Sequence, residues 1–155
     1  MIAEIMQLGS QEAINQEIED FGRFLQCLPE EFKEELVNKH YFAPGIYIRE
    51  MVIKEGDFAI GRKHKTKHFN IILSGYGKMI YNGSVKEIKA GDIFVSEPET
   101  RKAVSATEEI RILNIFPSNE TSVEKLEKEL VYEEPEPTDE EMKLFNEIIY
   151  QRRLS

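Results

Sequence analysis

Two histidines and a dense cluster of cations stand in one short run, Gly61-Arg62-Lys63-His64-Lys65-Thr66-Lys67-His68. Four formal cations and two of the chain's three histidines occupy these eight residues, in a protein whose net charge is −9. Imidazoles four positions apart can converge on a divalent metal from a loop. Guanidinium and ammonium groups instead favour an anion, the first through a planar fork and the second as a point charge. A metal site usually needs three or four protein ligands. Asn70, two positions beyond His68, is the nearest third candidate, because strand alternation puts it on the same side. A third reading is a solvated hairpin tip without a ligand. In every case Lys63, Lys65 and Lys67 alternate with the histidines and are expected to face water.

The rest of the composition narrows the classes. Residues 1–42 hold three basic and nine acidic groups, a net of −6; residues 43–117 hold twelve and nine, a net of +3; residues 118–155 hold five and eleven, a net of −6. Acidic flanks repel a phosphate polymer, so no extended nucleic-acid footprint is expected. No apolar run reaches the roughly 18 residues of a membrane span, and the start, Met1-Ile2-Ala3-Glu4-Ile5, does not read as a signal peptide. No membrane association is expected. The single cysteine, Cys27, allows no internal disulfide and fits a reducing cytoplasm; among Phe24, Leu25 and Leu28 it reads as a buried thiol.

The elements that must position the cluster are legible in outline. Ser10 can cap a helix over 11–28, with Ile14, Ile18, Phe21, Leu25 and Leu28 on one face. Pro29 opens a second helix over 30–38. From Tyr41 the texture turns to short strands: 46–49, 51–53, 58–61, 69–73, 78–81, 85–88, 93–95, 102–105 and 111–116. Pro44-Gly45, Gly56-Asp57 and the hairpin signal Asn82-Gly83 stand between them. Such spacing argues for a sandwich or small barrel. Helical texture returns over 122–130. An acidic spacer, Glu133-Glu134-Pro135-Glu136-Pro137, precedes a capping-box start at Thr138 and a last helix carrying Met142, Phe145, Ile148 and Ile149. The predicted organisation is a helical N-terminal arm over 1–40, a β-barrel over 41–117, and an acidic linker with C-terminal helices over 118–155. His40 is expected to be a boundary residue packing on Tyr41.

Residues 41–116 resemble a cupin, a mainly β jelly-roll barrel whose open end holds a metal or ligand. The first cupin motif is Gly, five residues, His-x-His, three or four residues, Glu, six residues, Gly. Gly75 suits its closing glycine, His68 stands at the glutamate, His64 at the second histidine and Arg62 at the first. In the second motif Gly91-Asp92-Ile93-Phe94-Val95 matches the opening, Pro98 fits with an offset of one, and Lys102 falls nearest the histidine. More narrowly, Phe42-Ala43-Pro44-Gly45, Tyr47, Arg49-Glu50, His64-Lys65-Thr66, His68, Asn70-Ile71 and Gly75 resemble small cupin-like proteins of bacteriophage and prophage genomes.

The resemblance places Arg62, His64, His68, Arg101 and Lys102 at the barrel rim, with Asn70 beside them and Lys78 on the adjacent strand. Tyr81, with Phe69, Tyr76 and Phe94, could wall a base or sugar, although Phe69 and Phe94 fit core packing better. Cations at seats usually held by ligands disfavour a divalent metal by like charge. The expectation is a non-enzymatic binding protein for a small anion such as a nucleotide or sugar phosphate, with no cofactor. It would be a cytoplasmic homodimer or larger assembly; for a phage protein, sequestering a host signal in the host cytoplasm is one concrete form. Two alternatives stand beside it: a metal-dependent cupin enzyme, an oxygenase or isomerase, using His64 and His68; and a phage structural or host-interaction protein using its acidic helices.

Overall fold

A computed structural model describes residues 7, 9–27, 39–135 and 138–154. The chain begins with helix α1 (Gln11–Cys27). Ser10 caps it: Ala13 N–H donates to Ser10 Oγ at 3.1 Å. Nine strands follow: β1 (Lys39–Ala43), β2 (Ile46–Ile53), β3 (Phe58–Ile60), β4 (His68–Ser74), β5 (Tyr76–Tyr81), β6 (Ser84–Lys89), β7 (Ile93–Ser96), β8 (Lys102–Ala106) and β9 (Ile110–Pro117). Helices α2 (Val123–Leu130) and α3 (Asp139–Leu154) complete the order. At the start of α3, Thr138 and Glu141 exchange side chain-to-backbone bonds at 2.7 and 3.2 Å, the expected capping box. The expected helix over 30–38 lies outside the described residues.

The strands form two antiparallel sheets, β1-β2-β9-β4-β7 and β3-β8-β5-β6. This is the jelly-roll arrangement that the cupin resemblance implies, one form of the sandwich or small barrel expected from the strand spacing. Three details differ. Residues 46–53 form one continuous strand, because Glu50 pairs through its backbone with Leu113 rather than interrupting the ladder. Residues 39–43 also form a strand, closing a hairpin on β2 across Pro44-Gly45. His40 faces Tyr47, with Nδ1 2.7 Å from the Tyr47 hydroxyl, rather than packing on Tyr41. Asn82 and Gly83 both take positive φ, 49° and 72°, the paired left-handed geometry of a tight β5–β6 turn.

Between the sheets lies an apolar core that includes Ile53, Ile72, Met79, Ile88, Val104, Ile110 and Ile112. The outer face of the four-stranded sheet is covered by α1, where Ile14 and Ile18 pack on Ile60, Ile80 and Ala103. The apolar face of the N-terminal helix is thus buried within its own chain. Among the described residues none covers the outer face of the five-stranded sheet in this way: Phe69 is 53% and Ile93 65% exposed. Phe69 is therefore not a core residue. Inward His68 and Asn70 force it outward by the period of two. Phe94, facing inward, packs against the core.

Candidate functional site

At one end of the barrel the inner face changes from apolar to polar. The register aligns Arg49 of β2, Asn114 of β9 and Asn70 of β4 across three neighbouring strands. One position toward the barrel end on the same face, Tyr47 pairs with Phe116. Asn114 Nδ2 donates to Asn70 Oδ1 at 2.7 Å, Arg49 Nη2 to Asn114 Oδ1 at 3.2 Å, and Asn70 Nδ2 to Ser96 Oγ at 2.8 Å. From the opposite sheet Lys102 reaches into this row. Its Nζ donates to Asn70 Oδ1 at 2.8 Å, to Ser96 Oγ, and to His68 Nε2 at 3.4 Å.

Both histidines are enclosed, His64 at 6% and His68 at 3% exposure, with ring centroids 4.7 Å apart and Phe116 against each. His68 Nδ1 lies 3.2 Å from the Thr66 carbonyl and Nε2 faces an ammonium, so the ring is the neutral Nδ1–H tautomer. Burial, and then the nearby cations, push His64 down to about 2 and His68 to about 4. Burial, then Arg49, bring Lys102 down to about 7, and burial also lowers Arg49. No described carboxylate forms an ion pair with Arg49 or Lys102. The barrel end is therefore a positively charged interior held mainly by neutral amides, a hydroxyl and imidazoles.

Helix α2 and the residues after it roof this end. His64 bridges to Val131, Lys65 N–H donates to the Leu130 carbonyl at 2.7 Å, and Tyr132 N–H to the Lys63 carbonyl at 3.0 Å. Leu126 and Leu130 pack against Tyr47 and Phe116. Beneath the roof remains a cavity of about 120 Å³, with Arg49, His64, Tyr47 and His40 on the barrel side and Leu126, Leu130 and Glu127, the last paired with Arg62, on the helix side. Two enclosed nitrogens of residues that line it, Arg49 Nε and His64 Nε2, have no hydrogen-bond partner among the described residues.

Of the residues singled out in the sequence, the fold brings together His64, His68, Asn70 and Lys102. Tyr81 lies on the inner face against the core, its hydroxyl accepting from Glu97 N–H at 3.0 Å. Three others are elsewhere. Lys78 is exposed on the outer face, since Met79 takes the inward position. Arg62 is half-exposed and pairs with Glu127 at 3.2 Å. Arg101 precedes inward Lys102, so alternation turns it to the opposite face, under α1. There it is 4% exposed, donates to the Gly61 carbonyl at 3.0 Å and pairs with Glu134. Arg49 and Asn114 were not picked out. A lone Asn inside Ile112-Leu113-Asn114-Ile115-Phe116 was the available signal, because a polar side chain in an apolar strand needs a buried partner.

The arrangement does not suit a metal. The lone pair of His68 Nε2 already faces Lys102, so a divalent ion would have to displace an ammonium, and Arg49 and Arg62 add like charge. No cluster of three or more His, Cys, Asp or Glu with metal-binding geometry occurs among the described residues. Neither histidine is oriented by a carboxylate there, as a general base ordinarily is.

No protein-family model matches the chain, and no curated protein does. Among solved structures, the first of the following shares its fold, and the other two are similar to it in part. The plu4264 protein of Photorhabdus luminescens superposes with a TM-score of 0.51 at 12% identity, over 62% of this chain and 86% of that one. A Cupin 2 conserved barrel domain protein from Salinispora arenicola gives 0.47 at 15% identity, over 54% and 76%. A cupin protein from Bacteroides fragilis gives 0.46 at 17%, over 61% and 88%. The two antiparallel sheets form a jelly-roll barrel, the fold that the cupin resemblance of the sequence implies. No helix of the described residues is long and apolar enough to cross a membrane.

Proposed function

We propose that this cupin-fold chain is a non-enzymatic binding protein whose barrel cavity, under α2, takes one small anion. The observation that carries the reading is the pair of enclosed nitrogens without a partner among the described residues, Arg49 Nε and His64 Nε2, in two residues that line a cavity whose one carboxylate, Glu127, is already paired with Arg62. An enclosed donor without an acceptor costs on the order of 1–3 kcal/mol, and an anion would remove that cost for the guanidinium. Neutral His64, in the tautomer with hydrogen on Nε2, would donate alongside it. Lys102 contributes charge at second hand through Asn70 and Asn114.

The size of the cavity shapes the ligand. About 120 Å³ is well below the roughly 300–1,000 Å³ of pockets for drug-sized molecules. A small anion is thus favoured over the nucleotide or sugar phosphate anticipated from the sequence. The experiment is calorimetric titration of the purified chain with small anions, in the wild type and in Arg49→Gln. Host-cell cytoplasm is the compartment that the phage-like sequence motif suggests for this role.

A second copy of the chain is the proposed occupant of the bare outer sheet face. Phe69 lies opposite Val95 and Ile115, and Ile71 opposite Ile93 and Leu113, so the apolar side chains are contiguous across three strands. Glu50 and Arg111 pair with each other on this face, which leaves it close to neutral. Two chains of net charge −9 could meet there without opposing like charges.

A further inference from the structure

We infer, resting on the anion-site reading above, that the occupant is a short-chain aliphatic monocarboxylate, its head on Arg49 and its tail under α2. The cavity is two-sided. Most of its charged and polar lining comes from the barrel: Arg49, His64 and the Tyr47–His40 pair; the exception is Glu127 of α2, whose carboxylate is paired with Arg62. Its apolar lining comes mainly from α2 and the residue after it, Leu126, Leu130 and Val131, each buried, with Phe116 added from β9.

Phosphate or sulfate would satisfy the polar wall but would set its remaining oxygens against leucine side chains that offer no donor. A carboxylate confines its charge to one end. Its two oxygens match the planar guanidinium, on which Asn114 already orients the Nη2 side and leaves Nε open. The methylenes behind it would then displace water from the leucines. A volume of about 120 Å³ is several times the roughly 10–15 Å³ that one water needs on the same measure, which suits a short acid of roughly three to five carbons.

The test is a calorimetric series on the full chain with formate, acetate, propanoate, butanoate, pentanoate and octanoate, together with phosphate and sulfate. Affinity should rise by about fourfold per added methylene, peak between propanoate and pentanoate, and fall at least tenfold by octanoate. Leu126→Ala should move the peak to longer acids. Val123→Ala, at a half-exposed position on the cavity edge, should shift it the same way should Leu126→Ala fail to fold. Phosphate or sulfate binding as tightly as the best acid, or affinity without a chain-length optimum, overturns the carboxylate assignment and leaves the anion site standing. No heat from any of the eight anions, on protein whose fold is verified by circular dichroism, overturns both.

Discussion

Lys102 Nζ and Asn70 Oδ1 meet at 2.8 Å across the barrel, one from each sheet. The bond fixes an ammonium in a nearly closed interior with no described carboxylate in ion-pair contact. Its pKa is lowered from 10.5 to about 7. Between those values the unfolded chain holds a proton that the folded chain has released, so folding stability rises with pH from about 7 to about 10.5. The slope from this group is at most about 1.4 kcal/mol per pH unit. Lys102→Met should abolish that increment in urea unfolding compared at pH 7 and pH 9.5. An equal gain in wild type and variant would show that the lysine is solvated.

The histidines predict acid sensitivity of the same origin, at lower pH. Both are held neutral, with folded values of about 2 and about 4 against an ordinary 6.5. The unfolded chain takes up these protons first, so stability falls as pH drops below 6.5. The loss from His68 is complete near pH 4, and that from His64 continues toward 2. Together they give at most about 2.7 kcal/mol per pH unit between 6 and 4. His64→Phe should roughly halve that slope in denaturant titrations; a slope unchanged by the substitution contradicts the buried placement.

Arg101 predicts the behaviour of a structural clamp. It joins the Gly61 carbonyl, Glu134 and the neighbourhood of Glu19, and a Cβ at Gly22 would come within 2.4 Å of its Cδ. Arg101→Met should cost about 3–5 kcal/mol, because it leaves the largely buried Glu134 carboxylate unpaired. Anion affinity should stay unchanged under conditions where the variant is folded. Loss of binding by folded Arg101→Met would return this residue to the site.

How much of this was legible in the sequence depends on the period of two. Strand alternation correctly joined His68 to Asn70, and the cupin-like spacing put Lys102 beside them. The same alternation forbids Arg101 and Lys102 from sharing a face, and puts Phe69 outside once His68 is inside. Arg49 was hidden for a different reason. Nothing local to Tyr47-Ile48-Arg49-Glu50 says which of the two charges faces in. Pairing with Asn114, 65 positions away, decides it. The roof was invisible because the 122–130 segment reads as an amphipathic helix whose target is set only by the barrel end.

The uncovered sheet face gives an assembly prediction. Wild-type protein should sediment as a dimer, and the double variant Phe69→Asp/Ile93→Asp as a monomer with a similar melting temperature, since both side chains face solvent within one chain. A monomeric wild type at high micromolar concentration would remove the second copy from that face.

Arg49 offers the most direct test. Its enclosed guanidinium lacks an ion-pair partner among the described residues, so Arg49→Gln should make the anion-free protein as stable as, or more stable than, wild type. The same substitution should weaken propanoate binding by at least tenfold in calorimetric titration, with wild type taking one anion per chain. Unchanged propanoate affinity in folded Arg49→Gln would contradict the account, as would a folded wild type that binds no small anion.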